Sequence, residues 1–168
     1  MTDHRLAPIW SDALESCGLY AFAPLPIVEI GSRVRLTGDG PCSWTTWIVV
    51  ARPRTGTFRD GTACNRWGTL RGSYVFKGKG DRMIVGGKRT DVMRALVRDY
   101  TRAGDLVCDP CAGAATTARA CQLEGRRFIG AEVNRETYEA ALERISQPFT
   151  APMFVDQPEH KTPDLFDQ

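Results

Sequence analysis

The residues best equipped for chemistry fall in one stretch, DLVCDPCAGAATTARACQLEGRRFIGAEVN, residues 105–134. A short apolar run ends in Asp109 and is followed by Pro110 and a turn of small residues that contains Gly113. Thr116 and Thr117 then open a helical pattern, and a second apolar run ends in Glu132. Each part has a physical use. A small-residue turn lets the backbone approach a ligand closely, and the first turn of a helix offers unpaired N–H groups. An acidic side chain at the end of the next strand can accept hydrogen bonds from two ribose hydroxyls. Together these features describe a site for a nucleotide-type cofactor. The turn has no Lys-Ser/Thr pair, so a phosphate cradle of the P-loop kind is not expected.

The elements that must position these residues follow from periodicity. Residues 105–109 and 127–133 read as strands, and residues 116–123 read as the helix between them. Strand, helix, strand implies a parallel βαβ unit. Asn134 is placed to cap a last helix, with Glu136 near its positive end and Tyr138, Ala141, Leu142 and Ile145 facing inward. Upstream, Thr90 or Asp91 can cap a helix that runs to residue 102, with Val92, Leu96, Val97 and Tyr100 on its buried face. In the first half, residues 6–17 read as a helix burying Leu6, Ile9, Trp10, Ala13, Leu14 and Cys17. Residues 44–51 read as a strand. Residues 19–30 are extended, and Pro24 and Pro26 suggest an edge or irregular strand. Residues 31–43 are turn-rich, and from 52 to 87 no periodicity persists.

Composition narrows the class. The 168 residues suffice for one domain, with 42% hydrophobic and 25% charged residues. No apolar run reaches the length of a membrane span, and the first residues have no signal-peptide core, so a cytoplasmic location without membrane partners is expected. The six cysteines have no second matching pair, and the two histidines lie near the termini. Reduced thiols and no metal site are therefore expected. The net charge of +2 conceals an asymmetry. Residues 31–90 hold 12 Lys/Arg against 3 Asp/Glu, and the rest holds 10 against 17. A basic block with interleaved aromatics, as in RWGTLRGSYVF, suits nucleic-acid contact, and a solvated basic loop has the same composition.

The run Asp109-Pro110-Cys111-Ala112-Gly113-Ala114-Ala115-Thr116-Thr117 resembles the D-P-F-x-G-x-G-T-T motif of DNA methyltransferases that modify adenine N6 or cytosine N4. The helix that begins near Lys88, with Arg89 in place of the family's Pro, and the run from Arg126 to Glu132 stand in that family's order. The resemblance is to the group with permuted motifs, in which the catalytic half precedes the cofactor half. It implies an α/β Rossmann-like fold and S-adenosylmethionine as cofactor. It places Lys88, Asp109, Pro110, Gly113, Thr116, Thr117 and Glu132 around that cofactor. It implies double-stranded DNA as partner, and Arg52, Arg54, Arg66, Trp67 and Arg71 are the candidate DNA contacts.

Two departures stand out. Ala115 replaces the last glycine of G-x-G, a penalty wherever the turn requires φ > 0. The family's D/N/S-P-P-Y/F/W tetrapeptide is absent, since no Pro-Pro occurs. No catalytic residue can therefore be named, and the central catalytic strands are expected to be missing. The expected arrangement is a methyltransferase-like domain over residues 1–146. Within it, 31–87 is a basic target-recognition-like segment and 88–146 the cofactor half. Such a chain would be completed by an N-terminal catalytic half or by oligomerisation, or would be an inactive DNA-binding remnant. Residues 147–168, with four prolines, are expected to be a disordered tail whose Thr162-Pro163-Asp164-Leu165-Phe166 resembles a degenerate sliding-clamp peptide.

Overall fold

The computed structural model describes residues 1–31, 43–54, 70–78, 80 and 87–147. The expectations placed on Arg66, on Trp67, on most of the turn-rich residues 31–43 and on the tail from 148 lie outside the described residues. No described helix is long and apolar enough to cross a membrane.

The first half is a helix followed by two small sheets. Helix α1 is Leu6–Ser16. Strands β1 (Leu19–Ala21) and β2 (Leu25–Ile30) pair antiparallel with β4 (Ala51–Pro53) and β3 (Thr45–Ile48). Strand β5 (Tyr74–Lys77), which the aperiodic reading of residues 52–87 missed, pairs parallel with β2. The order β3-β2-β5 makes β2 central, not an edge. Its Pro26 is tolerated for a reason of register. Pro26 faces Trp47, which exchanges both backbone hydrogen bonds with Thr2 at 2.7 and 2.8 Å and so does not bond to β2 there. The missing N–H therefore falls on the β5 side, where pairing begins only at Ile27.

The second half follows the predicted order. Helix α2 is Thr90–Tyr100, β6 is Leu106–Asp109, α3 is Thr116–Glu124, β7 is Arg127–Gly130 and α4 is Arg135–Ser146. Strands β6 and β7 are parallel and in register from Leu106↔Arg127 to Asp109↔Gly130. Asn134 caps α4 as expected, its side chain accepting the Thr137 N–H at 2.8 Å. Strand β7 stops three residues short of its predicted end. Ala131 leaves the ladder by donating to the Asp109 carbonyl and accepting from the Ala112 N–H. Gly130 makes that turn possible, because a Cβ there would lie 2.5 Å from the Phe128 ring and 2.9 Å from the Asp109 carbonyl.

The core lies around α2. Val92 and Ala95 pack with Ile27, Ile48 and Tyr74 of the first sheet. Val97 packs with Ala120 and Cys121 of α3, and Met93, Val107 and Phe128 lie against the same cluster. Arg94 and Arg98 both reach Glu124 at the end of α3, at 2.8 and 3.5 Å. Helix α1 departs from its expected role. Only Ala7 is buried, while Ile9 and Trp10 are more than half exposed. Its periodicity is amphipathic, but the described residues do not cover the apolar stripe.

A polar contact inside the core can be tested directly. The Tyr74 hydroxyl donates to Asp99 at 2.9 Å, and Asp99 is 2% exposed. Burial first, and the Asp99 charge next, push the Tyr74 phenol far above its ordinary range, so it stays a donor. Tyr74→Phe should therefore lower stability by about 1.5–3 kcal/mol, the value of a hydrogen bond to a charged acceptor. Urea unfolding measures it, and a change below about 0.5 kcal/mol would show that the contact contributes little.

Candidate cofactor site

The site is built where two parallel strands end side by side. Asp109 closes β6, and Glu132 stands two residues beyond β7. Both carboxylates are turned onto the loop between β6 and α3. Asp109 accepts the Cys111 N–H at 3.1 Å through Oδ1 and the Thr117 hydroxyl at 2.6 Å through Oδ2. Glu132 accepts the Gly113 N–H at 2.8 Å and the Asn134 N–H at 2.9 Å, one on each oxygen. A carboxylate has about four acceptor positions, so Glu132 keeps capacity for a ligand hydroxyl.

The loop conformation explains its composition. Gly113 has φ +53°, and no atom lies within 4 Å of the place a Cβ would occupy. Ala115 has φ 56° and ψ 35°, the one non-glycine residue at positive φ among the described residues. The position that departs from the family motif does adopt the left-handed backbone, which costs an alanine about 1–2 kcal/mol. Its methyl is buried with those of Ala118 and Ala141. Below the loop lies a cavity of about 190 Å³, whose lining includes Gly113, Ala115, Phe128, Glu132, Tyr138 and Leu142. Val133, next to Glu132, is wholly exposed.

The predicted cofactor residues divide by what they touch. Asp109 bonds Thr117 and Glu132 bonds Gly113, two separate contacts on the same loop. Pro110 is exposed at the turn. Lys88 is exposed just before α2. It comes within electrostatic range of the Met1 amine, as does Asp109, so both face one neighbourhood. Burial is the first cause that lowers the pKa of that amine. Lys88 lowers it further and Asp109 opposes. Thr116 is buried and bonded to Arg144 at 3.1 Å, which makes it part of the support beneath the loop.

The predicted DNA contacts are dispersed. Arg52 lies over the rings of Tyr20 and Phe22 at 5.2 and 5.8 Å, and the two rings meet edge to face at 5.0 Å. Both aromatics are about two-fifths exposed, and neither was singled out from sequence. Arg54 donates to the Leu19 carbonyl beside the same β1-β4 pair. Arg71 is drawn away to Asp99 at 3.2 Å and lies over Tyr74. Arg89, in the place of the family's proline, is buried between Asp91 and the carbonyls of Lys77 and Gly78. It fastens the start of α2 to the end of β5.

Comparison with known proteins agrees with this geometry. Residues 88–143 match the N6/N4 methyltransferase family, described as DNA methylase. That match spans α2 to α4 and takes in Asp109, Gly113 and Glu132. The chain is 36% identical over 56 residues to the type II methyltransferase M.Cfr9I of Citrobacter freundii. It is 35% identical over 54 residues to the DNA adenine methyltransferase YhdJ of Escherichia coli K12. These matches cover 33% and 32% of this chain but only 19% and 18% of those proteins. The fold is similar to that of the M1.HpyAVI–SAM complex, with a TM-score of 0.71 and 21% identity over 86% of this chain and 71% of that one. The cytosine-N4-specific PvuII DNA methyltransferase gives 0.58 at 13% identity, over 86% of this chain and 58% of that one. The α/β fold is thus that of S-adenosylmethionine-dependent DNA methyltransferase structures.

The cysteines of this segment give a direct probe of its surface. Cys108 and Cys111 are exposed and flank Asp109 and Pro110. Cys121 is buried, and burial pushes its thiol up to about 11. Alkylation at pH 8 should label Cys108 and Cys111 first and reach Cys121 only on unfolding, because the thiolate is the reacting form. Peptide mass mapping reads the order, and early labelling of Cys121 would contradict the packing of α3.

Proposed function

We propose that this chain is the S-adenosylmethionine-binding part of a DNA amino-methyltransferase of the permuted-motif group, acting on adenine N6 or cytosine N4. One observation carries the reading. Asp109 at the end of β6, and Glu132 two residues past the end of its parallel neighbour β7, hold, through Thr117 and Gly113, a left-handed loop at the start of α3. The residues suit the cofactor. Open space at Gly113 admits a ligand against the backbone. Glu132 retains acceptors for ribose hydroxyls, and wholly exposed Val133 offers an apolar platform beside it. Lys88 and Pro110 are further proposed cofactor contacts, and Thr116 supports the loop through Arg144. When bound, the cofactor supplies a methyl group on a sulfonium. This chain's residues bind and orient it, so their contribution to catalysis is positioning.

Methyl transfer needs groups that this sequence lacks. No Pro-Pro occurs to polarise and orient a flipped-out amine. Leu106 and Ile129 are more than half exposed on β6 and β7, as are Ile9 and Trp10 on α1. Apolar surface of this kind fits a chain that is completed by a catalytic half or by a second copy. The missing central strands and the need for such a partner are parts of this proposal. Double-stranded DNA is the proposed substrate, contacted by the basic segment and by Arg52 and Arg54 beside Tyr20 and Phe22. The place of action would be the cytoplasm. A second reading, an inactive DNA-binding remnant, is favoured by the strained Ala115.

Calorimetry tests the cofactor. The chain should bind S-adenosylmethionine weakly, Ala115→Gly should bind it more tightly, and Glu132→Ala should lose hydrogen bonds worth about 1.5–3 kcal/mol each. No heat with either the unaltered chain or Ala115→Gly would overturn the reading. Alone, the 168-residue chain should place no tritiated methyl in DNA, and incorporation by the pure chain would refute the need for a partner. DNA affinity should fall with salt by about 0.9 logarithmic unit per phosphate contacted, with charge reversal at Arg52 and Arg54 flattening that slope. A salt-independent affinity would leave the basic block as a solvated loop.

A further inference from the structure

We propose that Arg144 is the positioning residue of the cofactor loop, holding Ala115 in the left-handed conformation that the site requires. This inference rests on the cofactor reading above. Arg144 lies in the last turn of α4 and is 7% exposed. Its Nη1 donates to the Ala114 carbonyl at 2.8 Å and to the Thr116 hydroxyl at 3.1 Å. Its Nη2 donates to the Thr90 hydroxyl at 3.0 Å, at the first residue of α2. The guanidinium therefore grips the chain on both sides of Ala115 and anchors that grip to a second helix.

The arrangement answers a local energetic problem. An alanine at φ 56° is strained and persists only where its surroundings determine it. A glycine would need no such support, because it reaches the left-handed region without a Cβ clash. Burying a guanidinium is costly unless its donors are used, and a planar fork can serve several acceptors in fixed directions. Lysine keeps the charge but cannot span a carbonyl and two hydroxyls in that geometry. Loss of the grip lets residue 115 relax, which turns the Gly113 amide and the start of α3 away from Glu132 and Asp109. Arg144 acts through the loop, and in this proposal it does not touch the cofactor.

The test is a double-mutant cycle in the full chain, using Arg144→Lys and Ala115→Gly separately and together. Two readouts are used. The first is S-adenosylmethionine affinity by calorimetry. Arg144→Lys should weaken binding about tenfold or more, and combining it with Ala115→Gly should return affinity to within about threefold of Ala115→Gly alone. The second readout is amide hydrogen exchange over residues 112–117, compared with global stability from urea unfolding. Arg144→Lys should speed exchange in that segment beyond any global loss, and Ala115→Gly should restore protection. Equal losses with alanine or glycine at 115, or unchanged loop exchange in Arg144→Lys, would overturn the positioning role. If no variant binds S-adenosylmethionine while the exchange pattern holds, the cofactor reading fails and the role of Arg144 in the loop stands.

Discussion

Helix α2 is buried on two sides, and the rest of the molecule depends on that burial. Among the described residues no strand links the β3-β2-β5 sheet to the β6-β7 sheet. Val92 and Ala95 seal one sheet, and Val97 with Met93 seals the other. Burial of side chains this size is worth about 1.5–3 kcal/mol each for the larger ones, enough to fix the two sheets on one helix. The polar contacts then set direction. Arg89 ties the start of α2 to the end of β5, and Asp99 near its other end receives Tyr74 and Arg71. Thr90 receives Arg144 from α4. A helix anchored along its length can transmit the position of one sheet to the loop at the end of the other.

At the site, charge and backbone work together. The two carboxylates are partly used in shaping the loop, so its form is set before any ligand arrives. Preorganisation of this kind reduces the ordering cost of binding. The strain at Ala115 opposes it. The loop is thus held by two carboxylates against the strain of one methyl group.

The elements of the second half were legible because their signals are local. Short apolar runs marked β6 and β7, and Asn134 with Glu136 marked the start of α4. What was not legible depends on distant partners. Pro26 pointed to an edge, and only the bridge between Thr2 and Trp47 explains why β2 is central. Tyr74–Lys77 is too short to show a period. Arg144 reads in sequence as a cation at a helix C-terminus, a favourable place for any arginine. The available signal was its place between Ala141 and Ile145, on an otherwise apolar face. Arg71 carries the charge suited to phosphate, but it pairs with an aspartate 28 residues away that no periodicity links to it.

The edges of the two sheets are finished differently. Strand β3 ends its sheet against Thr2, which takes both hydrogen bonds of Trp47 and leaves little open ladder at that point. Among the described residues β6 and β7 have no neighbour on their outer sides, and each carries a half-exposed branched side chain. Open, apolar edges invite pairing with any extended chain. Self-association of this protein would therefore have one ready face at the β6-β7 sheet. A solubilising substitution there belongs at Leu106, because Ile129 also lines the candidate cavity.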